Sequence, residues 1–164
     1  MDVVYRCCTG IDVHKSRLVV NLRREASEGR RAMDEVRTYG TMTGDLLELA
    51  QWLSEEGCTH VAMESTGVYW KPIYNILGES FHVILVNAKH IKNVPGRKSD
   101  VMDCKWIGQL LQHGLLRGSF IPPQPIRELR GLTRQRRKLV EQRAAAINRI
   151  QKVLEDANIK LASV

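Results

Sequence analysis

VVYRCCTGIDVHKSRLVVNL, residues 3–22, decides how the chain begins to fold. VVYRCCTGID (3–12) and SRLVVNL (16–22) are strand-like in composition and rich in β-branched residues, and the short polar DVHK between them predicts a hairpin. One residue is out of character. Asp12 stands between Ile11 and Val13, and an acid among strand residues is expensive to desolvate unless something compensates its charge.

Outward from the hairpin, the polar REASEGRRAMDE (24–35) predicts a loop and VRTYGTM (36–42) a third strand. Leu46, Leu47, Leu49, Ala50 and Leu53 recur at helical spacing, with Thr43 as the expected cap and Gly57 as the stop. THVAME (59–64) is apolar and halts at the turn-prone STG, as a buried central strand does; a helix over 67–78 and a second buried strand, FHVILVNA (81–88), follow. Beyond the basic loop KHIKNVPGRK, Ser99 is a suitable cap for a helix running to about His113, with Gly114 as its stop. Three strands, then alternating helices and strands, imply an α/β fold with a mixed sheet flanked by helices.

The pair Pro122–Pro123 separates this unit from residues 124–157, which read as one long helix. Leu132, Leu139, Ala146 and Val153 recur every seven residues, as in coiled coils, with Arg136 and Arg143 interrupting the seam. Such a helix is expected to pack on a partner, in this chain or another. It is also where the charge sits. The net charge is +7, and residues 127–152 hold nine Lys or Arg against two Glu, so the rest of the chain is balanced. Concentrated positive charge is the footprint of a polyanion-binding surface, with a plain solvated face as the competing reading.

At 164 residues, 43% hydrophobic and 26% charged, the chain has the composition of a soluble globular protein able to bury its own core. No apolar run has the length of a membrane span and the N-terminus lacks a signal-peptide layout, so no membrane partner and a cytoplasmic location are expected. Four cysteines without a C-x-x-C pair suggest reduced, buried thiols and neither a zinc site nor a disulfide framework. The scattered His60, His82, His90 and His113 show no ligand spacing.

The chemistry-bearing candidates are four acids. Asp12 lies in the first strand, Glu64 at the end of HVAM, and Asp100 and Asp103 three apart at a helix start, on one face of it. Hard divalent ions prefer carboxylate oxygens, and phosphodiester cleavage commonly uses two such ions. Spacing alone leaves two readings open: one shared ion site, or four acids with separate duties in turns, caps and a first helical turn. His14 and Lys15 adjoin Asp12 and either contact a phosphate or stand as surface turn residues; Tyr69 and Trp70 either stack on a base or, by the stronger expectation, face the core.

GIDVHKS (10–16), AMESTGVYWKPIYNIL (62–77), VNAKHIKNVPGRKSDVMDCKWIGQLL (86–111) and ELRGLTRQRRKLVEQRAAAINRIQKVLEDA (128–157) closely resemble the DEDD-type transposases. These are bridge-RNA-guided insertion-sequence recombinases related to the Piv DNA invertase, with an N-terminal domain similar to the RuvC Holliday-junction resolvase. The resemblance implies a ribonuclease H-like catalytic domain over 1–121 and a long basic helix over 122–164 that begins a coiled-coil, dimerising region. It places the family's four acids on Asp12, Glu64, Asp100 and Asp103, as ligands of Mg²⁺ or Mn²⁺. It places the basic loop on Gly96, Arg97, Lys98 and Ser99. Nucleic-acid contact is expected from Lys15, Arg97, Lys98, Arg130, Arg134, Arg136, Arg137, Lys138 and Arg143, the partners being DNA and a structured guide RNA, with a homodimer or higher oligomer formed through the helix. Position 104, often Ala in relatives, makes Cys104 a small helix residue.

Family members continue into a domain carrying a serine nucleophile. The chain stops at Val164, so an N-terminal fragment, incomplete for full recombination, is the expectation. Two other classes compete with a transposase domain: a non-catalytic nucleic-acid-binding module, and a resolvase-like nuclease on branched DNA. Actin-like and sugar-kinase ATPases share the strand opening, but the further Gly-rich phosphate loops they need are missing.

Overall fold

The computed structural model describes residues 2–27, 29–65, 67–87 and 103–160. Two compact units divide at Phe120 and Ile121.

In the first unit, β1 (Cys7–Val13), β2 (Leu18–Arg24), β3 (Met33–Tyr39), β4 (His60–Glu64) and β5 (His82–Val86) form one sheet in the order β3-β2-β1-β4-β5. β1, β2 and β3 are antiparallel neighbours, whereas β1–β4 and β4–β5 are parallel. The expected hairpin is present, and its turn closes where the His14 amide donates to the Arg17 carbonyl at 3.0 Å. Parallel neighbours need a crossover. α1 (Thr43–Glu55) connects β3 to β4, and α2 (Trp70–Leu77) connects β4 to β5. α3 (Asp103–Gln112) follows β5. This is the mixed sheet with flanking helices that the order of elements implies.

Alternation along the strands divides the core in two. Cys8, Ala62 and Val86 pack with Ile107 and Leu111 of α3, with Tyr5, Ile84 and Leu116 against them. The intervening Ile11, Val61, Met63 and Leu85 are buried on the other face. α1 buries Leu46, Leu49, Trp52 and Leu53, and α2 buries Ile73 and Leu77.

Three local expectations need correction. β3 begins at Met33, inside the stretch read as loop, because it is an edge strand whose polar residues are satisfied sideways: Asp34 accepts from Asn21 at 2.7 Å and from Arg23 at 3.0 Å. Charge along an unpaired edge also guards against edge-to-edge association. α1 is not capped by Thr43. Its N-cap is Met42, whose amide donates to the Asp45 carboxylate at 3.0 Å. α2 starts at Trp70 rather than 67, after a turn in which Gly67 takes a φ of 53°.

In the second unit, α4 (Gln124–Asp156) is one helix of 33 residues with none of them buried. No helix among the described residues is long and apolar enough to cross a membrane.

Candidate active site

Glycine sets the geometry. A Cβ on Gly10 of β1 would stand 2.3 Å from both the Cys104 carbonyl oxygen and the Gly108 amide nitrogen of α3. Backbone therefore meets backbone, and α3 lies directly on the central strand. Gly10 faces α3, so Asp12, two residues further along the same strand, projects from the same face. Ala62 of β4 belongs to the cluster packed under α3, so Glu64 shares that face too.

The register aligns the two acids lengthwise. β1 and β4 match in parallel through Ile11 and Met63, and Asp12 and Glu64 are each the next residue. Both occupy the C-terminal edge of the parallel strands, half-buried. One residue on, the Ser65 amide still donates to Val86 at 2.9 Å before the chain turns away.

α3 brings the third acid. Cys8 lies near Gly108, its thiol 3.8 Å from that carbonyl, while Gly10 lies near Cys104, so the helix starts toward the Asp12 end of β1. Asp103 is the first described residue of this helix and half-buried. Burial is the main cause that pushes the Cys104 thiol above its ordinary pKa, and the negative charge of Asp12 adds to it. The first turn of α3 is thus within electrostatic reach of Asp12.

Asp12 has a neighbour that the sequence left undecided. His14 Nε2 lies 2.9 Å from Asp12 Oδ2, with the Asp12 side chain 17% exposed. An imidazole N–H at this distance donates a hydrogen bond to the half-buried carboxylate and steadies its orientation, as supporting contacts do for metal-binding carboxylates.

Asp100 falls outside the described residues, as do Gly96, Arg97, Lys98 and Ser99. Among the described residues no group of three or more His, Cys, Asp or Glu is gathered closely enough to hold a metal ion. The donor chemistry nevertheless fits one kind of ion. Asp12, Glu64 and Asp103 offer oxygen only, at strand ends and a helix start on one face, which suits Mg²⁺ or Mn²⁺ rather than a soft metal.

The basic candidates divide between the units. Lys15 is exposed in the β1–β2 hairpin, where its carbonyl accepts from Thr41 at 3.3 Å. Arg130, Arg134, Arg136, Arg137, Lys138 and Arg143 are exposed along α4, and Arg137 pairs with Glu141 at 2.9 Å. The apolar stripe of that helix is open as well, with Leu132 70% and Val153 68% exposed.

Other expectations shift. Tyr69 is exposed rather than core-facing, and Trp70 is half-buried with its ring edge-on to Tyr74. His60 and His82, unremarkable by spacing, meet across β4 and β5 with ring centroids 5.1 Å apart, and Tyr5 covers His60 at 4.0 Å. All four cysteines are free; Cys8, Cys58 and Cys104 are buried and Cys7 is half-buried. Burial pushes the Cys8 thiol up to about 12.

A family model described as a transposase, of the DEDD type, matches residues 9–159. No curated protein matches the chain. Among solved structures, Thermus thermophilus RuvC is similar at 11% identity with a TM-score of 0.49, over 69% of this chain and 99% of that one. The same protein in complex with Holliday junction substrate matches at 11% identity and a TM-score of 0.47, with the same coverage. A Fowlpox virus resolvase in complex with Holliday junction DNA matches at 10% identity and 0.43, over 66% of this chain and 99% of that one.

Proposed function

The chain belongs to the DEDD transposase family, and from that membership we propose that it is the metal-dependent DNA-cleaving domain of a recombinase, with Asp12, Glu64, Asp100 and Asp103 as its acidic site. The observation that carries this reading is the shared face: Asp12 and Glu64 follow the matched pair Ile11–Met63, under the helix that carries Asp103 in its first described turn. Carboxylates turned to one face, at the ends of neighbouring strands and on the helix above them, share the donor type that a hard divalent ion takes, which favours ion binding over unrelated duties.

In this reading Asp12 and Glu64 hold the ion from the sheet and Asp103 from the helix start, with Asp100 completing the set. Bound there, Mg²⁺ or Mn²⁺ supplies Lewis-acid stabilisation of the charge that builds on the phosphate oxygens during cleavage. His14 keeps the Asp12 carboxylate oriented toward that position. Lys15, Arg97 and Lys98 take neighbouring phosphates. α4 holds DNA and a structured guide RNA through Arg130, Arg134, Arg136, Arg137, Lys138 and Arg143, and its exposed stripe seats a second copy of the chain, in the cytoplasm. The helix contacts carry charge and no base readout.

Calorimetric titration with Mn²⁺ on the wild type and on Asp12→Ala tests the site. Weaker or absent binding in the variant is expected. Equal affinity in both, together with undiminished DNA binding, would instead leave a non-catalytic nucleic-acid-binding module.

A further inference from the structure

The N-terminal ends of β1 and β4, away from the acids, bring two thiols together. Cys7 opens β1, and Cys58 sits two residues before β4. The end of α1 fixes Cys58. Gly57 takes a φ of 75° and its amide donates to the Ser54 carbonyl at 3.0 Å, while the Cys58 amide donates to the Leu53 carbonyl at 2.9 Å. This is the glycine-terminated helix end, in which the chain turns sharply back. Cys58 Sγ then lies 3.3 Å from Thr9 Oγ1, and Thr9 shares a face of β1 with Cys7. The Thr59 amide and hydroxyl both donate to the Cys7 carbonyl, at 3.3 Å and 3.2 Å, so the backbone beside each thiol is anchored.

Cys7 is the thiol suited to react. It is half-buried, whereas Cys8, Cys58 and Cys104 are buried. Arg24 stands directly opposite it in the β1–β2 register and pairs with Glu56, and Arg30 donates to the Glu56 carbonyl at 2.7 Å. The Cys7 thiol reaches that same carbonyl only at 3.6 Å, so it gives up little on losing its proton. A hydrogen bond from the Cys58 side chain, and then the charges of Arg24 and Arg30, outweigh partial burial and the Glu56 charge and hold the Cys7 thiol below its ordinary pKa. The same hydrogen bond, and then burial, push the Cys58 thiol up. The proton therefore stays on Cys58 and the nucleophilic sulfur is that of Cys7.

We infer that Cys7 and Cys58 are an oxidisable pair, in which Cys7 reacts with a hydroperoxide and Cys58 resolves the product into a reversible disulfide. The Cys7 thiolate attacks one peroxide oxygen; the O–O bond breaks, hydroxide leaves and Cys7 becomes a sulfenic acid. The Cys58 sulfur then bonds to the Cys7 sulfur, the S–O bond breaks, and the Cys58 proton leaves with the hydroxyl group as water. Two thiols are oxidised and one peroxide is reduced. The link would pin the N-terminal ends of the two strands whose C-terminal ends carry Asp12 and Glu64.

The test treats the whole reduced chain with hydrogen peroxide and counts thiols by maleimide mass shift in denaturant. The wild type and Cys8→Ser should each lose two thiols, regain them with dithiothreitol, and yield tryptic peptides linked through positions 7 and 58. Cys7→Ser should lose none. Cys58→Ser should hold Cys7 as a sulfenic acid that takes up dimedone. The oxidised wild type should unfold at higher urea than the reduced protein, because a link between segments so far apart in sequence restricts the unfolded chain. Four thiols retained by the wild type, two lost by Cys7→Ser, or a reduction-sensitive dimer in place of the internal link would overturn the pair. If the buried position 58 does not tolerate serine, the peptide map of the oxidised wild type and Cys8→Ser decides the point alone.

Discussion

Gly10 on β1 and Gly108 on α3 meet through their backbones: a Cβ at position 10 would stand 2.3 Å from the Gly108 amide nitrogen, whereas one at position 108 would meet the Asn21 Oδ1 at 2.8 Å and the Gly10 nitrogen only at 3.4 Å. The two positions are therefore not equivalent. At position 10 the obstacle is the backbone of a packed helix, which can yield only by moving bodily. At position 108 it is a side chain.

Gly10→Ala is expected to destabilise the domain by about 3 kcal/mol, at the upper end for overpacking, and Gly108→Ala by about 1–2 kcal/mol. Urea denaturation midpoints measure both. Equal midpoints would show that α3 does not lie on β1 as described. Because α3 carries Asp103 toward Asp12, Gly10→Ala should also weaken Mn²⁺ binding in whatever fraction remains folded.

Asp12→Asn and Glu64→Gln should each lower strand cleavage by at least about a hundredfold, because each removes a charge that would hold a divalent ion while preserving shape. DNA affinity should change little, since the basic surfaces are elsewhere. Gel assays of cleavage paired with anisotropy of binding separate the two quantities. A variant of either acid that cuts at the wild-type rate would remove it from the site.

Much of this arrangement is legible in the sequence, for identifiable reasons. β4 and β5 are short apolar runs between turn signals, because parallel strands are covered on both faces. The long helix is legible from its repeat and from Pro122–Pro123 before it. β3 is not, since an edge strand with no fully buried residue has little hydrophobic period to display and Asp34 and Glu35 read as loop. The start of α1 is misjudged because a capping interaction can run from Asp45 back to the Met42 backbone, with no hydroxyl at the cap. Asp12 stands out among apolar strand residues, but its alignment with Glu64 depends on the register of Ile11 against Met63. Register between strands so far apart in the chain is a tertiary property. The contact between His14 and Asp12 is local, and a histidine two residues from a strand acid is its signal in the sequence.

The histidine pair at the opposite end of β4 predicts a pH dependence. Burial, and then the proximity of His82, lower the pKa of His60. A histidine whose folded pKa lies below its unfolded value of about 6.5 binds fewer protons in the native state than in the unfolded state. Stability therefore rises with pH across that window and is lost as pH falls below about 6.5. The urea midpoint of the wild type should drop between pH 7.5 and pH 5.5, and His60→Gln should show a smaller drop. An identical drop in the variant would place the titration elsewhere.

The arginines of α4 should differ in their effect on nucleic-acid binding. Arg137 is held by Glu141 at 2.9 Å, whereas Arg136, one residue earlier, appears in no ion pair among the described residues. To contact a phosphate, Arg137 must give up a surface pair worth about 0.3–0.5 kcal/mol, and the Glu141 charge stays nearby to oppose the polyanion. Arg136 carries neither cost. Arg136→Ala should therefore reduce both DNA affinity and the salt slope, the latter by about one, while Arg137→Ala should do less of each. Glu141→Gln should raise affinity by freeing Arg137 and removing a repulsive charge. Affinities measured across a salt series decide the order. If Glu141→Gln binds more weakly than the wild type, the face of α4 that carries this pair is not the one that meets the phosphates.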